Sequence, residues 1–146
     1  MKKEICLSAL LFLMFTIVVY SQEAEIKEYE TFDLFLNEQN EKVDMVEHGL
    51  SQIEVESIFG NSIRVQIPKV GKMKPLNKLF KQPEFKNIFK PNTDDEVVVL
   101  WYFTTPRDQN GVISKRECTP VILRADKVIG IGWDDFNKAR KDGTLR

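Results

Sequence analysis

The chain of 146 residues is about one domain's worth of sequence, with 42% hydrophobic residues, 29% charged residues and a net charge of −1. This composition is ordinary for a globular protein and argues against disorder of the whole chain. The near-zero net charge predicts no general affinity for nucleic acid. The charges are unevenly placed, because acids dominate between Glu23 and Glu56 and bases dominate between Arg64 and Lys90.

The first 21 residues have the pattern of a secretory signal peptide. Lys2 and Lys3 precede an apolar run from Ile5 to Tyr20, which is short for a membrane-spanning helix. Small or modest side chains three residues and one residue before Gln22 predict cleavage between Ser21 and Gln22. The alternative is an uncleaved N-terminal membrane anchor. In both cases we expect the rest of the chain to be exported, as a periplasmic or secreted domain.

The two cysteines argue against a lipid anchor and against a disulfide framework. Cys6 lies at the start of the apolar run, whereas a lipidated cysteine would directly follow such a run. After cleavage Cys118 would be the only thiol, and a disulfide needs two. We therefore expect a domain that is not lipid-anchored and that is held together by its hydrophobic core.

Residues 22–36 are predicted to form a flexible tether, because the segment starts with a polar stretch that carries little to bury and then shows no clear period. A single folded domain is expected to span residues 37–146. Its first helix is predicted from Asn37 to Glu47, with Val43 and Val46 facing the core.

The clearest local signal is a capping box formed by Ser51 and Glu54. In this motif the serine oxygen accepts a backbone N–H, and the glutamate reaches back to the cap. Leu50 and Val55 supply the matching hydrophobic staple, and Gly60 suits the left-handed geometry of a helix end. We therefore predict a second, short helix of roughly two turns after Ser51.

A basic segment at residues 69–92 is predicted to be an insertion in the domain. It is punctuated by Pro75, Pro83 and Pro91, and apolar residues recur at helical spacing on both sides of Pro83. Two short amphipathic helical turns hinged at this proline are therefore expected. A weakly alternating stretch from Ser62 to Ile67 before the segment predicts a strand.

The last third of the chain changes to a strand pattern. Three strands are predicted there: Glu96–Thr105, Glu117–Leu123 and Lys127–Trp133. The first has no polar side chain from Val97 to Phe103, so we expect a central strand that is covered on both faces. Asn110–Gly111 favours a hairpin turn. Gly130 and Gly132 leave one face of the third strand bare enough for another element to approach, and a short helix is expected at Asp134–Lys141. Helices followed by an antiparallel meander indicate an α+β fold.

Catalytic and metal-binding patterns are weak in this sequence. His48 is the single histidine, and Cys118 is the only nucleophile that could pair with it. Cys118 lies in an apolar strand pattern, in which a buried and inert thiol is the usual outcome. The acidic clusters Asp94–Glu96 and Asp134–Asp135 are more typical of solvated turns than of calcium ligands. We therefore predict a protein that is not an enzyme and has no metal or other cofactor.

The basic segment is the candidate interaction region. Seven of its side chains combine positive charge with apolar rings: Lys78, Phe80, Lys81, Phe85, Lys86, Phe89 and Lys90. One interpretation is a contact surface for anionic lipid or an acidic partner. The other, which we favour, is that the phenylalanines pack on the sheet while the lysines stay in water.

Two parts of the chain resemble known families. Val46–Gly60 (VEHGLSQIEVESIFG) resembles the opening signature of the SmpA/OmlA, or BamE-like, domain of small bacterial envelope proteins. Val97–Trp133 is more similar to a family of uncharacterised bacterial lipoproteins, with an aromatic strand, a Gly-bearing turn, Glu-Cys-Thr-Pro and a strand ending in Gly-Trp. The corresponding residues are Trp101–Thr105, Asn110–Gly111, Glu117–Pro120 and Gly130–Trp133.

The resemblance implies two short N-terminal helices packed on a three-stranded antiparallel meander, with an extra strand and a short C-terminal helix as additions. It also implies a non-enzymatic role in the cell envelope, which in the best-known members is accessory to outer-membrane protein assembly. Three features differ from the family pattern: there is no lipobox, Asn61 replaces the usual proline, and the basic segment is longer. Only the fold and the class of function are therefore carried over.

The leading hypothesis is an exported envelope module that binds or scaffolds an envelope protein partner. One alternative is a peripheral membrane binder that contacts anionic lipid through the basic segment. Another is an inhibitor of a secreted enzyme, which rests on fold analogy.

Overall fold

The computed structural model describes residues 24–69, 71–72, 74–90, 94–107 and 112–146. The strands in these residues are β1 (Glu25–Glu28), β2 (Ile63–Ile67), β3 (Leu76–Phe80), β4 (Phe85–Phe89), β5 (Val97–Phe103), β6 (Cys118–Arg124) and β7 (Lys127–Ile131). The α-helices are α1 (Phe32–Asp44), α2 (Gln52–Phe59) and α3 (Gly132–Lys141), and a 3₁₀ turn at Lys115–Glu117 precedes β6. Within this part of the chain, no helix has the length and apolar character needed to cross a membrane.

The strands form two sheets. In the three-stranded sheet β2 is central, with β1 parallel to it and β3 antiparallel to it. The four-stranded sheet is an antiparallel meander in the order β4, β5, β6, β7. Although β3 and β4 are consecutive, they belong to different sheets, and the connection between them contains a cis Gln82–Pro83 peptide bond. The chain therefore passes from one sheet to the other at this corner.

The strand β5 separates two hydrophobic cores. Val97, Val99, Trp101 and Phe103 face a large core, which also contains Phe35 of α1, residues of β2 and β3, and Phe136 and Ala139 of α3. Leu100 and Tyr102 face a second core, in which Val55 and Phe59 of α2 cover β5 and β6. The prediction of a central strand covered on both faces is confirmed.

The capping box at the start of α2 is also confirmed. Ser51 Oγ accepts the N–H of Glu54 at 3.3 Å, and the Glu54 carboxylate accepts the N–H of Ser51 at 2.7 Å. The helix ends at Phe59, whose ring stacks on Tyr102 with 3.5 Å between the ring centroids. The cap fixes the start of α2, and the buried side chains of Val55 and Phe59 place the helix on the second core.

Gly130 on β7 lies under the first turn of α3, as the bare strand face predicts. A Cβ atom at this position would lie 2.9 Å from Cβ of Asp135 and 3.2 Å from Cδ1 of Ile122. The Asp135 carboxylate accepts the N–H of Ile131 at 2.8 Å and so closes the start of α3. Because the helix begins at Gly132, β7 is two residues shorter than predicted.

The predicted arrangement of two N-terminal helices on a three-stranded meander is wrong. The meander has four strands, and a second sheet packs against it. α1 packs mainly on the large core, whereas α2 packs on the second core. The two helical turns predicted in the basic segment are strands β3 and β4. Leu76 and Phe80, like Phe85 and Phe89, are four residues apart, a spacing that places two side chains on one face of a helix or of a strand. Pairing with β2 and β5 decides in favour of strands.

The structure also differs from the expected tether at residues 22–36, of which residues 24–36 are described. Glu25–Glu28 form β1, and α1 begins at Phe32 instead of Asn37. Thr31 Oγ1 accepts the N–H of Leu34 at 3.4 Å as the helix cap, and Phe32 and Phe35 pack on Phe80 and Phe103. Contacts with distant rings therefore order this segment. The predicted turn at Asn110–Gly111 lies outside the described residues.

Candidate interaction surface

The seven side chains singled out in the basic segment lie on β3, on β4 and in the turns beside them. Lys78 and Phe80 are on β3, and Lys81 follows it directly. Phe85, Lys86 and Phe89 are on β4, and Lys90 follows it. The structure therefore brings them onto the outer strands of two different sheets instead of onto one helical face.

The three phenylalanines face inward. Phe80 is 2% exposed, and its ring centroid lies 4.6 Å from that of Phe35. Phe85 and Phe89 are half-buried and pack against the large core. These rings support the fold, so they are not available to insert into a membrane.

The lysines differ from one another in their surroundings. Lys81 and Lys86 are exposed. The Nζ atom of Lys78 lies 5.5 Å from the ring centroid of Phe80. Lys90 Nζ contacts the Asp95 carboxylate at 2.5 Å, and this hydrogen bond, with the nearby positive charges, lowers the pKa of Asp95. Lys86 is thus an exposed positive charge on β4.

The outer edge of β4 has no strand partner among the described residues. Phe85 and Phe89 face the large core, and Asn87 on the same face accepts a hydrogen bond from the indole N–H of Trp101 at 3.0 Å. On the opposite face Ile88 is 48% exposed, whereas Leu100, which pairs with Lys86, is fully buried. The second core therefore does not extend over β4.

The other edge of the same sheet is covered. Gly49 donates its N–H to the carbonyl of Val128 at 2.9 Å, and Val128 donates to the carbonyl of Leu50 at 2.8 Å. The loop before α2 thus occupies backbone groups of β7 in the manner of a short extra strand. The two edges of the four-stranded sheet differ, with β7 covered and β4 open over the described residues.

A cleft of about 480 Å³ lies between α2 and the connection from β3 to β4. Ile53, Glu56 and Ser57 line one wall, and Gln82 and Pro83 line the other. The Glu56 carboxylate accepts a hydrogen bond from the Gln52 amide at 2.6 Å. The lining mixes apolar and polar side chains and includes neither a cysteine thiol nor a histidine imidazole. These side chains can contact a bound molecule, but they offer no thiol nucleophile.

His48 and Cys118 are not brought together. His48 is exposed beside Gly49, which bonds to β7 at Val128, and Val128 pairs with Leu123. Cys118 begins β6, five residues and about 17 Å along the strand from Leu123. Burial, with smaller contributions from the charges of Glu84 and Glu117, raises the pKa of the Cys118 thiol to about 12. The thiol is therefore protonated at neutral pH and out of reach of the imidazole.

The acidic clusters have structural contacts. Asp95 pairs with Lys90 and lies 3.3 Å from Nε of Arg124, and Asp135 caps the start of α3. Across the described ranges, no group of three or more histidine, cysteine, aspartate or glutamate side chains is placed to hold a metal ion.

A family model described as a protein of unknown function (DUF3192) matches residues 15–138. The chain belongs to the DUF3192 family. No curated protein and no solved structure gives a significant match. The DUF3192 match does not test the resemblance to the SmpA/OmlA family, which stays a prediction.

Sequence reasoning missed two carboxylates that organise this DUF3192 fold. Glu117 is buried and accepts the N–H groups of Arg107 at 3.1 Å and Ser114 at 2.8 Å, which shapes the connection into β6. The serine three residues before a glutamate is the signal that could have located it. Glu38 accepts hydrogen bonds from Tyr29 and Lys27, and no local pattern marks these contacts because they join α1 to β1.

Proposed function

We propose that this DUF3192 chain is an exported, non-enzymatic module that binds a protein of the cell envelope through the edge of β4. The observation that carries the proposal is the contrast between the two edges of the four-stranded sheet, since β7 is covered by the loop before α2 and β4 is open over the described residues. An open strand edge is a common docking place for an extended segment of another protein.

Two features support a binding role over a catalytic one. The thiol of Cys118 is buried and protonated, and His48 lies at the other end of the strand pair. The cleft beside α2 is lined by side chains that can form contacts, without an activated nucleophile among them. Cys118 and His48 are therefore too far apart to act as a catalytic pair.

Export is supported by the signal-peptide pattern of residues 1–21, which lie outside the described residues. β1 begins at Glu25, so cleavage after Ser21 would leave the first strand intact. N-terminal sequencing of the protein from cell fractions tests this part of the proposal. A mature chain that starts at Gln22 in the periplasm or the medium supports export, and a chain that keeps Met1 in the membrane fraction would show an uncleaved anchor instead.

Site-specific photo-crosslinking tests the binding role. A photoreactive amino acid is placed at Lys86 on β4 or, as the matched control, at Lys127, an exposed lysine on the covered strand β7. We expect one discrete crosslinked product from position 86 in intact cells, with the partner identified by mass spectrometry, and none from position 127. No product at position 86, or the same product from both positions, would contradict the proposal.

Membrane binding is the alternative that the charge distribution supports. Residues 69–90 contain seven lysines against one glutamate, but Phe80, Phe85 and Phe89 face inward, so the attraction to a membrane would be mainly electrostatic. We therefore expect equal sedimentation with neutral and anionic vesicles at physiological ionic strength. Strong sedimentation with anionic vesicles alone would favour the membrane alternative.

A further inference from the structure

The chemistry of β4 defines what its open edge can accept. We propose that β4 takes an acidic, extended segment of the partner as a fifth strand of the four-stranded sheet. This inference rests on the proposed function and adds the chemical nature of the partner segment. Three observations support it: the direction of the β4 side chains, the charge beside the edge, and the poor fit of a second copy.

The alternation along β4 specifies the pattern of the added strand. Side chains of neighbouring strands that lie directly opposite share a face of the sheet. An apolar residue is therefore favoured beside the half-buried Phe85 and Phe89, an acidic residue beside the exposed Lys86, and an apolar residue beside Ile88. An antiparallel partner strand starts opposite Phe89 and ends opposite Phe85. From its N-terminus to its C-terminus, its favoured pattern is apolar, apolar, any residue, acidic, apolar.

The charge around the edge favours an acidic segment. Lys81 and Lys86 are exposed and form no ion pair with a described residue. Glu84, between them, is the one acid from residue 69 to residue 90, and burial raises the pKa of its carboxyl. The positive potential beside β4 is therefore only partly compensated within this segment.

A second copy of β4 fits this edge less well. An antiparallel pair of β4 strands centred on Asn87 would bring the two Lys86 side chains to diagonal positions, where like charges repel. Lysine on an outer strand is a common means by which proteins avoid pairing with their own copies. The same lysine attracts a segment of opposite charge.

Titration of the full exported chain with labelled peptides tests this proposal. The probe is the peptide EVVTEVTE, and the controls are KVVTKVTK, which reverses the charge, and EVPTEPTE, in which prolines prevent strand formation. We expect measurable binding of the first peptide only. Amide hydrogen exchange should slow at residues 85–89 in its presence and should not change on β7.

Charge reversal on the protein provides the second arm. Lys86→Glu should weaken binding of EVVTEVTE by about threefold to tenfold and improve binding of KVVTKVTK, because one exposed ion pair is removed and a repulsion replaces it. Lys127→Glu, at the other edge of the sheet, should change the affinity for EVVTEVTE by no more than about twofold. Equal affinity for all three peptides, or exchange protection away from β4, would overturn the proposal.

The outcomes separate this inference from the proposed function. A crosslinked partner at position 86 without binding of the acidic peptide would leave the binding role standing and refute the acidic strand. Peptide binding without any crosslinked partner in cells would support the acidic strand and count against the envelope role. A dimer in sedimentation equilibrium whose β4 amides are protected without peptide would identify a second copy as the occupant and overturn the proposal.

Discussion

The carboxylate of Glu38 joins β1 to α1. It accepts hydrogen bonds from the Tyr29 hydroxyl at 2.6 Å and the Lys27 ammonium at 3.0 Å, and Lys42 Nζ lies 3.0 Å from it. Burial by itself would raise the pKa of Glu38, but these hydrogen bonds and the charge of Lys42 outweigh burial and lower the pKa to about 2. The ionised carboxylate therefore favours the folded state.

The lowered pKa predicts a loss of stability in acid. The contribution of Glu38 is complete above its ordinary pKa of 4.5 and disappears as the pH falls towards about 2. We expect Glu38→Gln to lower the free energy of unfolding by about 1–3 kcal/mol at pH 7 and to reduce its pH dependence in that window. Urea denaturation at several pH values measures both effects. Glu41→Gln, an exposed carboxylate on the same helix, is the control, and an unchanged pH profile for Glu38→Gln would refute this role.

Gly130 tests the close packing of α3 on β7. Gly130→Ala would place a methyl group 2.9 Å from Cβ of Asp135, an atom held close to the helix backbone. We expect a loss of about 1–3 kcal/mol in the free energy of unfolding, because the helix must move away from the strand. Lys127→Ala, at an exposed position of the same strand, should change it by less than about 0.5 kcal/mol. Chemical denaturation compares the free energy of unfolding of the two variants. An equal change in both would show that α3 can move away from β7 without loss of stability.

At the level of elements, α2 depends on its N-terminal cap. Ser51→Ala removes the hydrogen bond to the N–H of Glu54, and we expect a loss of about 1 kcal/mol in the free energy of unfolding. Ser57 lies in the same helix, and its hydroxyl donates to the carbonyl of Ile53. Ser57→Ala is therefore the matched control and should be neutral or slightly stabilising. Thermal denaturation followed by circular dichroism measures both variants, and equal midpoints would argue against the cap.

The strands β3 and β4 show how tertiary context decides an element. Both contain apolar residues four positions apart, and Pro83 lies between them, so the local pattern fits two helical turns or two strands equally well. The seven candidate interaction residues are therefore located in the right segment by their composition. Their directions follow only from pairing with β2 and β5, which turns the phenylalanines inward and leaves Lys81 and Lys86 exposed.

At the level of the whole molecule, β5 couples the two cores. Val99 and Trp101 face the large core, and Leu100 between them faces the second core. We therefore expect both cores to unfold in one cooperative transition, so that truncating a side chain on either face of β5 destabilises both cores. The alternative would be two cores that unfold separately.

Leu100→Ala tests this coupling. We expect the free energy of unfolding to fall by about 2–5 kcal/mol, because a buried side chain leaves a cavity. Tryptophan fluorescence, which reports on Trp101 and Trp133 in the large core, should shift to the same midpoint as far-UV circular dichroism. Ile53→Ala, 74% exposed on α2, is the control and should have little effect. Separate midpoints for the two signals in Leu100→Ala would show that the cores unfold independently.

The sequence by itself determined the features whose causes are local. The capping box needs only Ser51 and Glu54, β5 is an uninterrupted apolar run, and Gly130 marks a close approach because it lacks a side chain. Tertiary structure alone decided which strands share a sheet, that residues 25–28 add a strand, and that the edge of β4 is open while that of β7 is covered. These features depend on backbone hydrogen bonds between segments far apart in the chain, and such pairing leaves no mark in the local spacing of side chains.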